Sequence, residues 1–235
     1  MSLTNSNMTS SPNHTPTNNA LPLPVILLAD VSGSMCAEGK IHALNQSVRD
    51  MLADFASADD IRAEIRVAVV TFGGTARLVS PLMPAKTVVW EDVCASGSTP
   101  MGEALAIAAS LVENWPEAPA SGYKPTLLLV SDGIPTDSWR TSLERLNQQS
   151  PVAQADRMAL AIGADADVDM LREFLGSPDK PLFIAADACR IKDFFRYFTL
   201  SVTSRAQSVN PNVVSETGAP EHLEMEHSRL PVSSL

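Results

Sequence analysis

Residues 25–35 read VILLADVSGSM. Five apolar residues run straight into Asp30, and serines follow at alternate positions, Ser32 and Ser34, with Gly33 between them. An apolar run without polar alternation suits a strand covered on both faces, as in a parallel sheet. A strand-ending turn needs only one or two residues of this kind. Three oxygen-bearing side chains at the end of a buried strand therefore call for a chemical explanation.

The pattern repeats outward from this stretch. Apolar runs at 65–72, 126–130, 158–162 and 182–185 alternate with helix-like periodicity over 40–55, 100–114, 138–146, 168–175 and 191–202. A shorter run at 76–79, reached from Phe72 through a Gly-Gly turn, predicts an antiparallel edge strand. Alternation of this sort predicts an α/β fold: a doubly wound, mostly parallel sheet with helices on both faces. Ligands in such sheets bind beyond the carboxyl ends of the strands, at the point where strand order reverses. Residues 1–20, nearly all Ser, Thr, Asn and Pro, predict a disordered N-terminal tail. The folded domain is expected over 21–203, and 204–235 reads as a flexible C-terminal tail.

Composition narrows the classes of function. A net charge of −10 over 235 residues argues against nucleic acid as a partner, because duplex binding needs clustered Lys and Arg. No apolar stretch approaches the length of a membrane span, and no signal-like leader is evident. The three cysteines, Cys36, Cys94 and Cys189, form no CxxC pair, so the cytosol is the expected compartment.

Three loops that follow strands carry oxygen ligands. The first holds Asp30, Ser32 and Ser34; the second, SGSTPMGEAL, holds Thr99; the third, LLLVSDGIPTD, holds Asp132. Each has a plain alternative: Asp30 and Ser32 as turn formers, Thr99 as a helix N-cap before Pro100, Asp132-Gly133 as a turn. Taken together, two carboxylates and three hydroxyls without His or Cys suit a hard divalent cation. Mg²⁺ is the expected ion, with Mn²⁺ or Ca²⁺ as alternatives.

DVSGSM resembles the DxSxS motif of von Willebrand factor A (VWA) domains, with Asp30, Ser32 and Ser34 in place. Thr99 in GSTPMG and Asp132 in SDG match the remaining positions of that family's metal-ion-dependent adhesion site. The resemblance covers 21–203. It implies direct metal bonds from Ser32, Ser34 and Thr99, water-mediated contact from Asp30 and Asp132, and an Asp or Glu of a protein partner as the last ligand. LPVILLADVSGSM, VVTFGGTARLVSPL, SGSTPMGEAL and SDGIPTDSWR are further similar to the bacterial stand-alone VWA proteins of tellurium-resistance (TerY-type) clusters. That likeness implies a non-enzymatic adaptor in stress response or phage defence, with a Ser/Thr kinase or PP2C-type phosphatase as partner.

Other residues have simpler readings. Asp167 and Asp169, after Asp165, suit an N-cap and first helical turn better than a second cation site. Met35, Met101 and Trp139 flank the three loops and are expected to supply apolar contacts to a partner, although a core role suits Trp139 better. Cys36 and Cys94 read as packing residues and His42 as a helix-surface residue. The competing enzyme class is an aspartyl phosphotransferase or phosphatase of haloacid-dehalogenase type, whose DxDxT loop also follows a buried strand. It needs a second Asp as general acid, and Ser32 holds that position. A serine hydrolase lacks both its G-x-S-x-G elbow and a histidine base outside the tails other than His42.

If the tails are as open as their composition implies, limited proteolysis should leave a resistant core of roughly 180 residues. Early cutting within 25–202 would contradict a one-domain reading.

Overall fold

The computed structural model describes residues 20–59, 61–114, 123–148, 155–212 and 224–226. The predicted N-terminal tail up to residue 19 and most of the predicted C-terminal tail lie outside them. Seven strands form one sheet: β1 (Leu21–Asp30), β2 (Ala63–Gly73), β3 (Thr75–Pro84), β4 (Thr126–Ser131), β5 (Asp156–Ile162), β6 (Leu182–Ala185) and β7 (Glu224–Glu226). Among the described residues five α-helices accompany them: α1 (Lys40–Ser57), α2 (Met101–Glu113), α3 (Trp139–Gln148), α4 (Val168–Leu175) and α5 (Ala188–Gln207). A 3₁₀ segment, Gly33–Gly39, bridges β1 and α1.

Strand order is β3-β2-β1-β4-β5-β6-β7, with β2-β1-β4-β5-β6 parallel and β3 antiparallel to β2 at one edge. This is the mostly parallel, doubly wound α/β sheet that the alternating pattern predicts. Two features differ from the sequence reading. A second antiparallel strand, β7, covers the β6 edge with residues assigned to the C-terminal tail. Helix α5 also runs past the expected boundary at 203, because Arg205 is buried there. Its guanidinium donates to the carbonyls of Pro211 and Lys124 (both 2.9 Å) and to the Thr126 hydroxyl, tying the end of α5 to the start of β4.

Both faces of the sheet are covered. Helices α1 and α5 pack against Leu23, Val25, Leu27, Val67 and Leu160 on one side. Helices α2, α3 and α4 pack against Ile26, Leu28, Val70, Leu127 and Leu129 on the other. Burial from both sides explains why β1 is apolar without alternation. Pro22 and Pro24 are tolerated because β1 pairs with β4 only from Val25 onward, leaving one neighbour beside the prolines. No helix among the described residues is long and apolar enough to cross a membrane.

The order reverses at β1, whose neighbours β2 and β4 lie on opposite sides, so the crevice forms at the carboxyl ends of β1 and β4. Three loops meet there through backbone contacts. Val31 N–H donates to Phe72 O (2.9 Å), Ser96 N–H to Val31 O (2.8 Å), Gly33 N–H to Gly97 O (2.9 Å) and Gly74 N–H to Ser98 O (2.8 Å). Such close approach excludes side chains. A Cβ at Gly97, where φ is +75°, would lie 2.5 Å from Gly74 Cα.

The post-β4 loop braces the same cluster. Thr99 N–H donates to Thr136 Oγ1 (3.1 Å), and Thr136 N–H to Thr99 O (2.9 Å). Asp137 caps α2 from outside the helix, accepting from Gly102 N–H (2.8 Å) and Glu103 N–H (2.9 Å). The N-cap duty that sequence alone allows Thr99 is therefore filled by Asp137.

Gly97→Ala should destabilise the chain by about 2 kcal/mol or more, since strain and a backbone clash add. Asp137→Ala should cost about 1–2 kcal/mol, whereas Thr99→Ala should stay near 0.5 kcal/mol, having no cap to lose. Chemical denaturation of the three variants measures the order, and a Thr99→Ala loss equal to that of Asp137→Ala would contradict it.

Candidate metal centre

Asp30 ends β1, and Asp132 directly follows Ser131 at the end of β4. In the parallel register Ala29 lies opposite Val130, so both carboxylates emerge at the same sheet edge. Both are fully buried. Asp30 Oδ1 accepts from the Ser32 backbone N–H at 2.8 Å, and its Oδ2 accepts from the Ser131 hydroxyl at 2.6 Å. Asp132 Oδ1 accepts from the Ser34 hydroxyl at 2.6 Å, and its Oδ2 from the Lys40 ammonium at 3.0 Å. The Ser32 and Ser34 hydroxyls stand 3.0 Å apart.

The third loop closes the group at Gly133. A Cβ placed there would lie 3.2 Å from Thr99 Oγ1, 3.7 Å from Ser34 Oγ and 3.8 Å from Asp30 Oδ2. One small space at the sheet edge, beside Gly133 of the third loop, is thus faced by oxygens from the first two loops, and Asp132 joins them through Ser34. Asp30, Ser32, Ser34, Thr99 and Asp132 are brought together although they are spread over a hundred residues of chain. The donors are all oxygen, two anionic and three neutral, which fits a hard divalent cation and suits neither a thiolate nor an imidazole site.

Electrostatics point the same way. Burial holds the Asp30 carboxyl above the ordinary carboxylate range; hydrogen bonds from Ser131 and Ser32 offset part of this, and the neighbouring Asp132 charge adds to it. A nearby cation would relieve that cost.

The expected apolar partner contacts need correction. Met35 is 0% exposed, Met101 1% and Trp139 7%. Met35 turns under the 3₁₀ segment into the α1 side of the core, and Met101 and Trp139 open helices whose first turns face the sheet. The Arg140 guanidinium lies 4.3 Å from the centre of the Trp139 ring and covers it further. The large apolar side chain exposed in these loops is Ile134.

Asp167 caps α4, accepting from Met170 N–H at 3.0 Å. Among the described residues no group of three or more His, Cys, Asp or Glu is gathered for a metal, so the 165–169 stretch has a capping role. Cys36, Cys94 and Cys189 are exposed rather than packed, and His42 lies on the surface of α1. An apolar groove of about 640 Å³ between β3 and α2, lined by Leu78, Leu82, Ile107 and Leu111, contains no titratable side chain.

Lys40, Ser131 and Asp137 escape a reading by motif. Lys40 left one physical signal: a lysine in the first helical turn opposes the helix dipole and needs a carboxylate partner. Asp137 and Ser131 left none, because their partners are distant in sequence.

Comparison with known proteins agrees with the fold. A search of curated proteins finds no match. Among solved structures, the pilus adhesin SpaC of Lactobacillus rhamnosus GG in an open conformation superposes with a TM-score of 0.62 at 18% identity, covering 80% of this chain and 31% of that one. A von Willebrand factor type A protein from Catenulispora acidiphila gives 0.56 at 23% identity, covering 77% and 43%. Proximal thread matrix protein 1 of the mussel byssus, with zinc in its MIDAS motif, gives 0.55 at 16% identity, covering 77% and 45%. The chain therefore spans less than half the length of these proteins. The model of the von Willebrand factor type A domain matches residues 25–196, and the chain belongs to that family.

Proposed function

We propose that this protein is a non-enzymatic, metal-dependent protein-binding module. The observation that carries the reading is the convergence of Asp30, Ser34 and Thr99 on the space at Gly133, with Ser32 and Asp132 joined to them through the Ser34 hydroxyl. These five residues would hold Mg²⁺, with Mn²⁺ or Ca²⁺ as alternatives. A bound ion would supply a positive centre that accepts an Asp or Glu carboxylate from a protein partner. The zinc held by the MIDAS motif of the byssus protein supports a divalent metal at the matching place in this fold. Around the centre, Ser34, Ser96, Ser98, Thr136 and Ser138 are exposed and polar, a rim suited to a transient partner.

The motifs shared with TerY-type proteins support a finer reading, a cytosolic adaptor that scaffolds a kinase- or phosphatase-linked stress or phage-defence system. The haloacid-dehalogenase alternative gains nothing. Ser32 stands where that chemistry needs a general acid, and its hydroxyl lies against Ser34.

Calorimetric titration should show wild type binding a single Mg²⁺ and D30A/S32A losing it by at least about tenfold in affinity. In co-purification, Thr99→Ala and wild type in EDTA should both lose a partner that wild type in Mg²⁺ retains. Undiminished Mg²⁺ binding by D30A/S32A would overturn the site, and equal partner recovery in all three samples would overturn the metal face as the interface.

A second measurement follows from the burial of Asp30. Its raised pKa means the native state holds this proton more readily than the unfolded chain does. The stabilisation is complete below the unfolded carboxylate range and is lost as pH rises through the raised value. Metal-free wild type therefore carries the cost at neutral pH. Asp30→Asn should raise the metal-free Tm at pH 7, by about 2–4 °C per kcal/mol relieved, and abolish the gain on adding Mg²⁺. A lower metal-free Tm together with an unchanged Mg²⁺ response would contradict both expectations.

A further inference from the structure

Lys40 is the first residue of α1, and its side chain is only 11% exposed. Its ammonium lies 3.0 Å from Asp132 Oδ2, the oxygen that does not face Ser34. On its other side it meets Gly163, where a Cβ would come within 3.4 Å of Nζ. A cation at a helix amino terminus works against the helix dipole, and burying it adds a desolvation cost. The position is thus costly for a lysine and is made acceptable by its charge partner.

We propose that Lys40 is a specificity-determining residue of the metal centre. Its fixed positive charge leaves the loaded centre with a net positive charge, so that an anionic ligand is selected over a neutral one. This rests on the reading that the five oxygen residues hold a divalent cation.

Asp30 and Asp132 carry −2 and Lys40 carries +1, so the centre stands at −1 before any metal arrives. A divalent ion takes it to +1, and an incoming carboxylate brings it to zero. Without Lys40 the loaded centre would already be neutral, and an incoming carboxylate would leave an uncompensated negative charge beside two buried aspartates. Lys40 must then have effects of opposite sign on the two binding steps. It weakens metal uptake and strengthens capture of the anion. With unit charges several ångströms apart and a partly buried environment, each effect should be on the order of tenfold.

Opposed effects separate this role from a structural one, since a loosened site would weaken both steps together. The test uses the full chain and the variants Lys40→Met, Lys40→Gln and Lys40→Arg, with folding followed by circular dichroism. Mn²⁺ uptake is read from the electron paramagnetic resonance of free Mn²⁺. Acetate, or neutral acetamide, is then titrated into the Mn²⁺-loaded protein and followed by water-proton relaxation.

Lys40→Met and Lys40→Gln should bind Mn²⁺ about tenfold more tightly and acetate about tenfold more weakly, with the acetamide response unchanged and Lys40→Arg close to wild type. Should Lys40→Met fail to fold, Lys40→Gln, which keeps a hydrogen-bond donor, makes the same comparison. Mn²⁺ and acetate affinities that do not respond to loss of the charge would overturn this inference alone. Wild type that takes up no Mn²⁺ would overturn the metal reading, and this inference with it.

Discussion

Two carboxylates with no exposure to solvent, Asp30 and Asp132, set the terms for everything around them. An unpaired buried charge costs several kcal/mol, so each of the four carboxylate oxygens must be answered. The Ser32 amide, the Ser131 hydroxyl, the Ser34 hydroxyl and the Lys40 ammonium do so one for one. The direction of these bonds has a further effect. Ser34 spends its only proton on Asp132 and accepts from the Ser32 hydroxyl, so one lone pair is left to face the space at Gly133. Neutralising the carboxylates and presenting oxygen donors are one arrangement seen from two sides.

Such an arrangement needs loops that do not move, and backbone supplies most of the rigidity. Gly73 and Gly97 bring three chain segments closer than any side chain would permit: a Cβ on Gly73 would sit 2.3 Å from Val31 O. The 96–101 loop is then held from the far side by Thr136 and Asp137. Because Asp137 serves the α2 amides, Thr99 is held in place through its backbone while its hydroxyl remains available. Support and chemistry are divided between residues 37–38 positions apart.

The sheet and most of the centre could be read in advance because their signals are local. Residues 25–29 lack alternation because both faces of β1 are covered, and Asp30, Ser32 and Ser34 belong to one short turn. Strand β7 could not be read, since Glu224–Glu226 has no strand pattern and its pairing with β6 is distant in sequence. Cross-loop partners escaped for the same reason: nothing near Asp137 in sequence points to Gly102, and nothing near Lys40 points to Asp132. Met35 and Met101 adjoin the centre in sequence yet turn into the core, as does Trp139, for which sequence alone favours the core. Proximity in sequence to a surface loop does not decide which way a side chain turns, and the first turn of a helix packed on a sheet turns inward.

The burial of those three residues changes how a partner could be held on the proposed reading. With Ile134 as the large apolar group exposed in the loops and a rim mostly of serine and threonine, the face offers little hydrophobic area. Association carries an entropic cost of several kcal/mol, which a small polar patch cannot offset alone. The bond between ion and carboxylate must then supply a decisive share, and the partner's own surface the rest. An interface balanced in this way is strongly conditional on the metal and on one acidic side chain, and such conditionality is useful in an adaptor that must release what it binds. Lys40 sharpens the condition, because a net positive centre rewards an anion and gives a neutral side chain no comparable gain.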